Sequence, residues 1–150
     1  MTICSDFFRC LFGEVKDGAM QLNAFGLIAH RCWEEIPRHY SEVEVDVFQV
    51  MPNHMHGIVY LTEKGHSLGN IVGSYKGAVT KQIRASHKHA SEAIWETSYH
   101  DHIIRNEDSL QKIRTYIINN PLKWELDRYN PHRKENNESD DWLDVLGEET

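Results

Sequence analysis

Two extended runs split by a proline break constrain the fold of this 150-residue chain more than any other feature. Val43, Val45 and Val47 alternate with Glu44 and Asp46, the period of a half-buried strand. That strand runs toward Met51, where Pro52-Asn53 interrupts it. His54 to Leu61 then reads as a second strand, antiparallel to the first. Helical patterns lie on both sides of the pair. Asn23 is placed to cap a helix carrying Phe25, Ile28, Ala29, Cys32, Trp33 and Ile36, with Pro37 near its end. Ser67 is placed to cap another, whose apolar stripe is Leu68, Ile71, Val72, Tyr75, Val79 and Ile83. Gly69, Gly73 and Gly77 recur along this helix, and close packing on a sheet would account for them.

The remaining segments complete the order. Met1 to Cys4 reads as a strand start, and Leu11–Val15 and Ala19–Leu22 flank a Lys16-Asp17-Gly18 hairpin turn. Ala93 to Tyr99 reads as a further strand. Asn106-Glu107-Asp108 opens a helix with buried Leu110, Ile113 and Ile117, which Pro121 ends or kinks before a short helical piece at 122–127. The expected fold is α+β: a ferredoxin-like, split βαβ sandwich with an antiparallel sheet and helices on one face. One domain is expected over residues 1–129, followed by an acidic, flexible tail over 130–150 in which Trp142, Leu143, Val145 and Leu146 could dock.

Composition narrows the function classes. At 40% apolar the chain can bury an ordinary core, and no apolar run approaches a membrane span. Asp6 and Arg9 interrupt any signal-like opening. Cys4, Cys10 and Cys32 form no C-x-x-C pair and read as reduced thiols of a cytoplasmic protein. The net charge of −7 is unevenly spread: −4 over residues 1–75, +3 over 76–133 and −6 over 134–150. Phosphate binding needs local positive potential rather than a positive total. Lys76, Lys81, Arg84 and Lys88, then Arg105, Lys112, Arg114, Lys123 and Arg128, are candidates to hold a phosphate backbone, although they equally suit a solvated face. Trp95, Tyr99 and Trp124 could stack bases, with core packing the commoner use of such residues.

His54 and His56 would project from one face of a strand, with Met55 pointing into the opposite layer. Two further H-x-H pairs compete: His100/His102 if that segment is extended, and His87/His89, which a helix would turn to different sides. Tyr116 and Asn120 are one helical turn apart and share the margin of a buried stripe. Taken singly, each pattern has an ordinary structural use.

Taken in order, these residues resemble a known family. Val50-Met51-Pro52-Asn53-His54-Met55-His56-Gly57-Ile58 is similar to the signature of REP-associated tyrosine transposases, within the HUH single-tyrosine class. Leu11-Phe12-Gly13-Glu14, Gly73-Ser74-Tyr75-Lys76, His102-Ile103-Ile104-Arg105-Asn106 and Tyr116-Ile117-Ile118-Asn119-Asn120-Pro121-Leu122-Lys123-Trp124 carry the likeness to about residue 131. The resemblance implies a ferredoxin-like sheet with the H-x-H on a central strand. It implies His54 and His56 as metal ligands, Asn120 as a third, amide ligand, and Tyr116 as nucleophile. It implies single-stranded DNA beside a hairpin as substrate and a divalent cation, Mg²⁺ or Mn²⁺, as cofactor; two imidazoles and an amide suit Mn²⁺ at least as well as Mg²⁺. Cleavage through a 5′-phosphotyrosine conserves the bond energy for rejoining. A homodimer in which the tyrosine helix completes the partner's site is left open. Two other functions compete: a zinc hydrolase using His54, His56 and His100 or His102, and a hairpin-DNA binding protein that does not cut.

Overall fold

The computed structural model describes residues 1–87 and 91–134. The alternation around the proline break becomes two paired strands, joined by a third from the start of the chain. In chain order the strands are β1 (Thr2–Cys4), β2 (Gly13–Lys16), β3 (Ala19–Leu22), β4 (Glu44–Val50) and β5 (His54–Tyr60). The main sheet has the order β1-β5-β4 and is antiparallel throughout. β5 is therefore the central strand. Its register sets Thr2 opposite His56 and Cys4 opposite His54 on one side, and Gln49 opposite His56 on the other.

β2 and β3 form a separate hairpin. Asp17 (φ 51°) and Gly18 (φ 73°) both take the left-handed conformation, as a two-residue turn matched to strand twist demands.

The helices are α1 (Ala24–Glu34), the short α2 (Ile36–His39), α3 (Leu68–Ser86) and α4 (Glu107–Asn119), followed by a 3-10 helix over Asn120–Leu126. Asn23, Ser67 and Asn106 cap α1, α3 and α4 through side-chain oxygens that accept from Gly26 N, Asn70 N and Ser109 N. α1 stops before Pro37, which lies in the first turn of α2, where its missing N–H costs nothing.

The two faces of β5 bury into different clusters. Met55 joins Ile3, Val50, Trp33, Tyr75 and Val79 in the larger core beneath α1 and α3. Ile58, on the opposite face, packs with Ile113, Tyr116 and Ile117 of α4. The α+β antiparallel architecture is thus as expected, with α1 and α3 layered on one face. α4 adds a smaller layer against the other face, the one that carries both histidines.

α4 is also clamped to β4. The register of β4 shifts between Val45 and Phe48, and Asp46 lies in that irregular stretch. Its carboxylate accepts from Arg114 Nε at 3.1 and 3.2 Å and from the Tyr60 hydroxyl at 3.0 Å. A bulge re-aims a side chain in this way, here toward the helix that carries Tyr116.

Two expectations need correction. Ala93 to Tyr99 forms no regular strand. The segment runs beside β1 but meets it only at isolated bridges, Thr2 with His100 and Ser5 with Trp95. Lys76 Nζ takes the carbonyls of Glu96 (2.7 Å) and Ser98 (3.0 Å), groups a continuous ladder would have used. Nor do the α3 glycines pack on the sheet. A Cβ at Gly73 or Gly77 would meet nothing within 4 Å, because the buried stripe of α3 lies on its other side. Gly73→Ala is accordingly expected to raise stability by about 0.5–1 kcal/mol, the helix-interior cost of glycine, readable as a higher denaturation midpoint in urea.

Residues 130–134 fold back on the 3-10 helix through Asn130 Nδ2 to the Trp124 carbonyl and Lys134 N to the Glu125 carbonyl. The rest of the expected tail, with Trp142, Leu143, Val145 and Leu146, lies outside the described residues, as do Lys88 and His89. No helix among the described residues is long and apolar enough to cross a membrane.

Candidate active site

Strand alternation brings His54 and His56 to the same face of β5, with their Nε2 atoms 3.1 Å apart. Both rings are buried. His54 Nδ1 lies 2.9 Å from Asn53 Oδ1, and His56 Nδ1 lies 2.7 Å from Thr2 Oγ1. Tyr116 stands edge-on to His56, with ring centroids 5.5 Å apart and planes at 69°. Asn120, one turn further along, is fully buried. Asp127 Oδ2 lies 3.6 Å from His54 Nε2, and Asp127 Oδ1 accepts from Tyr129 N at 2.8 Å. The Tyr129 ring covers His54 at 4.7 Å. All four residues singled out by the paired sequence motifs thus converge on one side of the sheet within a single chain.

Burial sets the charge state of the pair. Desolvation pushes His54 down to about 3; the Asn120 side chain opposes this and Arg128 adds to it. Desolvation also holds His56 well below the ordinary histidine range, reinforced by His54. Both imidazoles are neutral at pH 7 and available as ligands. For linkage, the unfolded chain takes up protons as pH falls through about 6.5, whereas folded His54 waits until about 3. Stability is therefore full above pH 6.5 and declines below it. By pH 5 the loss from His54 is about 2 kcal/mol. A thermal unfolding series from pH 7.5 to 5 should show a steadily falling Tm, and His54→Gln should flatten that slope.

The donor set fits a divalent cation. Two ligands at about 2.1 Å and at right angles sit about 3.0 Å apart, close to the observed Nε2 separation. Neither amide atom of buried Asn120 has a hydrogen-bond partner of acceptable geometry. A buried amide in that condition costs free energy unless something occupies it. No three His, Cys, Asp or Glu side chains among the described residues form a metal cluster; the oxygen donors beside the pair are the buried Asn120 amide and the Asp127 carboxylate, whose Oδ2 lies 3.6 Å from His54 Nε2. This also leaves His100 and His102 apart from the His54/His56 pair: His100 pairs its backbone with Thr2, and His102 lines the adjoining cleft.

That cleft, about 850 Å³, opens beside the pair and is lined by His56, Thr2, Tyr116, Ile113 and Arg105 among others. The other candidate phosphate-binding residues divide. Lys123 lies on the 3-10 helix just beyond Asn120. Lys81 and Arg84 lie on α3, across the sheet, in a shallow groove with Trp95. Lys76 has two of its three donors on backbone carbonyls. Trp95 and Tyr99 belong to the larger core, whereas Trp124 adjoins His54 at 6.1 Å. The sequence motifs did not single out Thr2, Asp127 or Tyr129, and none of them carries a signal of its own. Asn53 lies inside the transposase-like signature, which by itself points to no role for it.

The histidine pair thus stands on the central antiparallel strand, with Tyr116 on the helix packed over it. The family model "Transposase IS200 like" matches residues 28–120, and the chain belongs to the IS200-like transposase family. It is 37% identical to an uncharacterised protein of Haemophilus influenzae, over 85% of this chain and 82% of that protein. Its fold is similar to that of a REP-associated tyrosine transposase bound to a REP hairpin (TM-score 0.62, 21% identity), covering 81% of this chain but 64% of that one. It is also similar to a proposed transposase of Deinococcus radiodurans R1 (TM-score 0.52, 19% identity), covering 79% and 86% of the two chains.

Proposed function

We propose that this protein is a metal-dependent transposase that cuts and rejoins single-stranded DNA beside hairpins, using Tyr116 as nucleophile. The observation that carries the proposal is the contact of the Tyr116 ring with one of two neutral, convergent imidazoles at the edge of a cleft. His54, His56 and Asn120 would hold the divalent cation. When bound, it would supply positive charge to the scissile phosphate and lower the cost of attack. The Tyr116 oxygen forms a bond to phosphorus as the bond from phosphorus to the 3′ oxygen breaks. The products are a 5′-phosphotyrosyl strand and a free 3′-hydroxyl, and the reverse attack restores the backbone without an external energy source.

The hairpin assignment draws support from the transposase of similar fold whose structure is bound to a REP hairpin. Arg105 lines the cleft beside this site and Lys123 follows Asn120 on the 3-10 helix, and we assign them to the phosphates flanking the cut. Lys81 and Arg84 would serve only a strand that continues around to α3, and Lys76 has one donor to offer. The tyrosine and the histidine pair meet within one chain, so a second copy is not needed to assemble them.

The test is cleavage of hairpin-bearing single-stranded DNA from the flanks of the protein's own gene. Cutting should stop with EDTA and return with Mn²⁺ or Mg²⁺. Cutting that persists in EDTA would refute the metal dependence.

A further inference from the structure

Asn53 is fully buried and uses every polar atom of its amide. Its Nδ2 donates to the Phe8 carbonyl at 3.1 Å and to the Tyr129 carbonyl at 2.6 Å. Both acceptors are carbonyls, so the amide has one orientation only. Its Oδ1 is left facing His54 Nδ1 at 2.9 Å, and an oxygen acceptor there requires a proton on Nδ1. In a neutral imidazole the other nitrogen, Nε2, is then bare.

The state of His56 follows from that. Its Nε2 lies 3.1 Å from the bare Nε2 of His54, and one of the two must carry hydrogen. His56 Nε2–H therefore donates across the gap, and its own bare Nδ1 accepts from the Thr2 hydroxyl at 2.7 Å. The role of Thr2 can reverse. A hydroxyl donates or accepts without moving its oxygen.

We propose that Asn53 and Thr2 are positioning residues that set the tautomers of the two histidines for metal uptake. Asn53 locks His54 permanently as the Nδ1–H form, with its lone pair aimed into the site. Thr2 lets His56 exchange one tautomer for the other with its ring in place. In the exchange one proton leaves Nε2 and one arrives at Nδ1, so uptake releases none from His56. After it, Nδ1–H donates to Thr2 Oγ1 and the bared Nε2 faces the cation. The inference rests on the metal-site reading above, yet its first half concerns the metal-free protein alone.

Long-range ¹H–¹⁵N spectra of the wild-type protein read both tautomers directly. Without metal, His54 should appear as Nδ1–H and His56 as Nε2–H. On adding Mg²⁺, His56 should change to Nδ1–H while His54 stays as it was. Thr2→Val, close to isosteric, removes the acceptor that bound-state His56 needs. It should weaken Mn²⁺ binding by calorimetry about 10-fold, the lower end of outer-shell effects, and Thr2→Ser should restore it. An Nε2–H His54 in the metal-free protein, or Mn²⁺ binding by Thr2→Val equal to wild type, would overturn the inference. A wild type that binds no cation would instead overturn the metal-site reading, and the metal-free spectra would still decide the state of His54.

Discussion

Tyr116→Phe should bind hairpin-bearing single-stranded DNA as the wild type does and form no covalent adduct with it. Only one oxygen is removed. The ring that stands edge-on to His56 is retained, as is its packing against Ile58, Ile113 and Ile117. Phenylalanine offers no nucleophile, so strand cleavage should fall by about 10³-fold or more. Binding depends on contacts to phosphates and should change little. Gel-shift titration beside a denaturing gel separates the two effects. Parallel losses of binding and cleavage would mean that Tyr116 holds DNA rather than attacks it.

Gly57→Ala should cost the fold about 2–3 kcal/mol, in the range of overpacked cores. Gly57 follows His56 on β5 and faces the larger core. A Cβ there would lie 2.4 Å from Trp33 Cζ2 and 2.7 Å from Cη2. The Trp33 ring cannot yield, because it is 1% exposed and wedged between Phe48 and Tyr75. Relief must come from β5, the strand that carries both histidines. Urea unfolding should show the lost stability, and calorimetry should show weaker Mn²⁺ binding at temperatures where the variant is still folded. A midpoint equal to that of the wild type would show that the strand and ring separate easily.

Much of the framework was legible because it depends on local signals. Period-two valines, the Asp17-Gly18 turn and three polar N-caps each act within a few residues. The same holds for the histidine pair, whose common face follows from strand geometry. What could not be read depends on contacts far apart in sequence. Lys76 takes carbonyls 20 and 22 residues away and so breaks up the expected strand at 93–99. The glycines of α3 resembled a packing stripe, but the placement of α3 turned them to open surface. Thr2 reaches the site from β1, and Asp127 and Tyr129 reach it from the turn after the 3-10 helix. Asn53 bonds to the Phe8 and Tyr129 carbonyls, and only the fold shows that its amide is fully committed.

The most direct test of the tyrosine chemistry is the polarity of the covalent product. Hairpin-bearing single-stranded DNA is labelled at its 5′ end in one sample and at its 3′ end in another. Each is incubated with protein and Mn²⁺ and run on a denaturing gel. A 5′-phosphotyrosine predicts that only the 3′-labelled DNA migrates with protein, while the 5′-labelled fragment runs free with a 3′-hydroxyl. Free fragments from both samples, with no label on protein, would contradict tyrosine attack and point to hydrolysis by water.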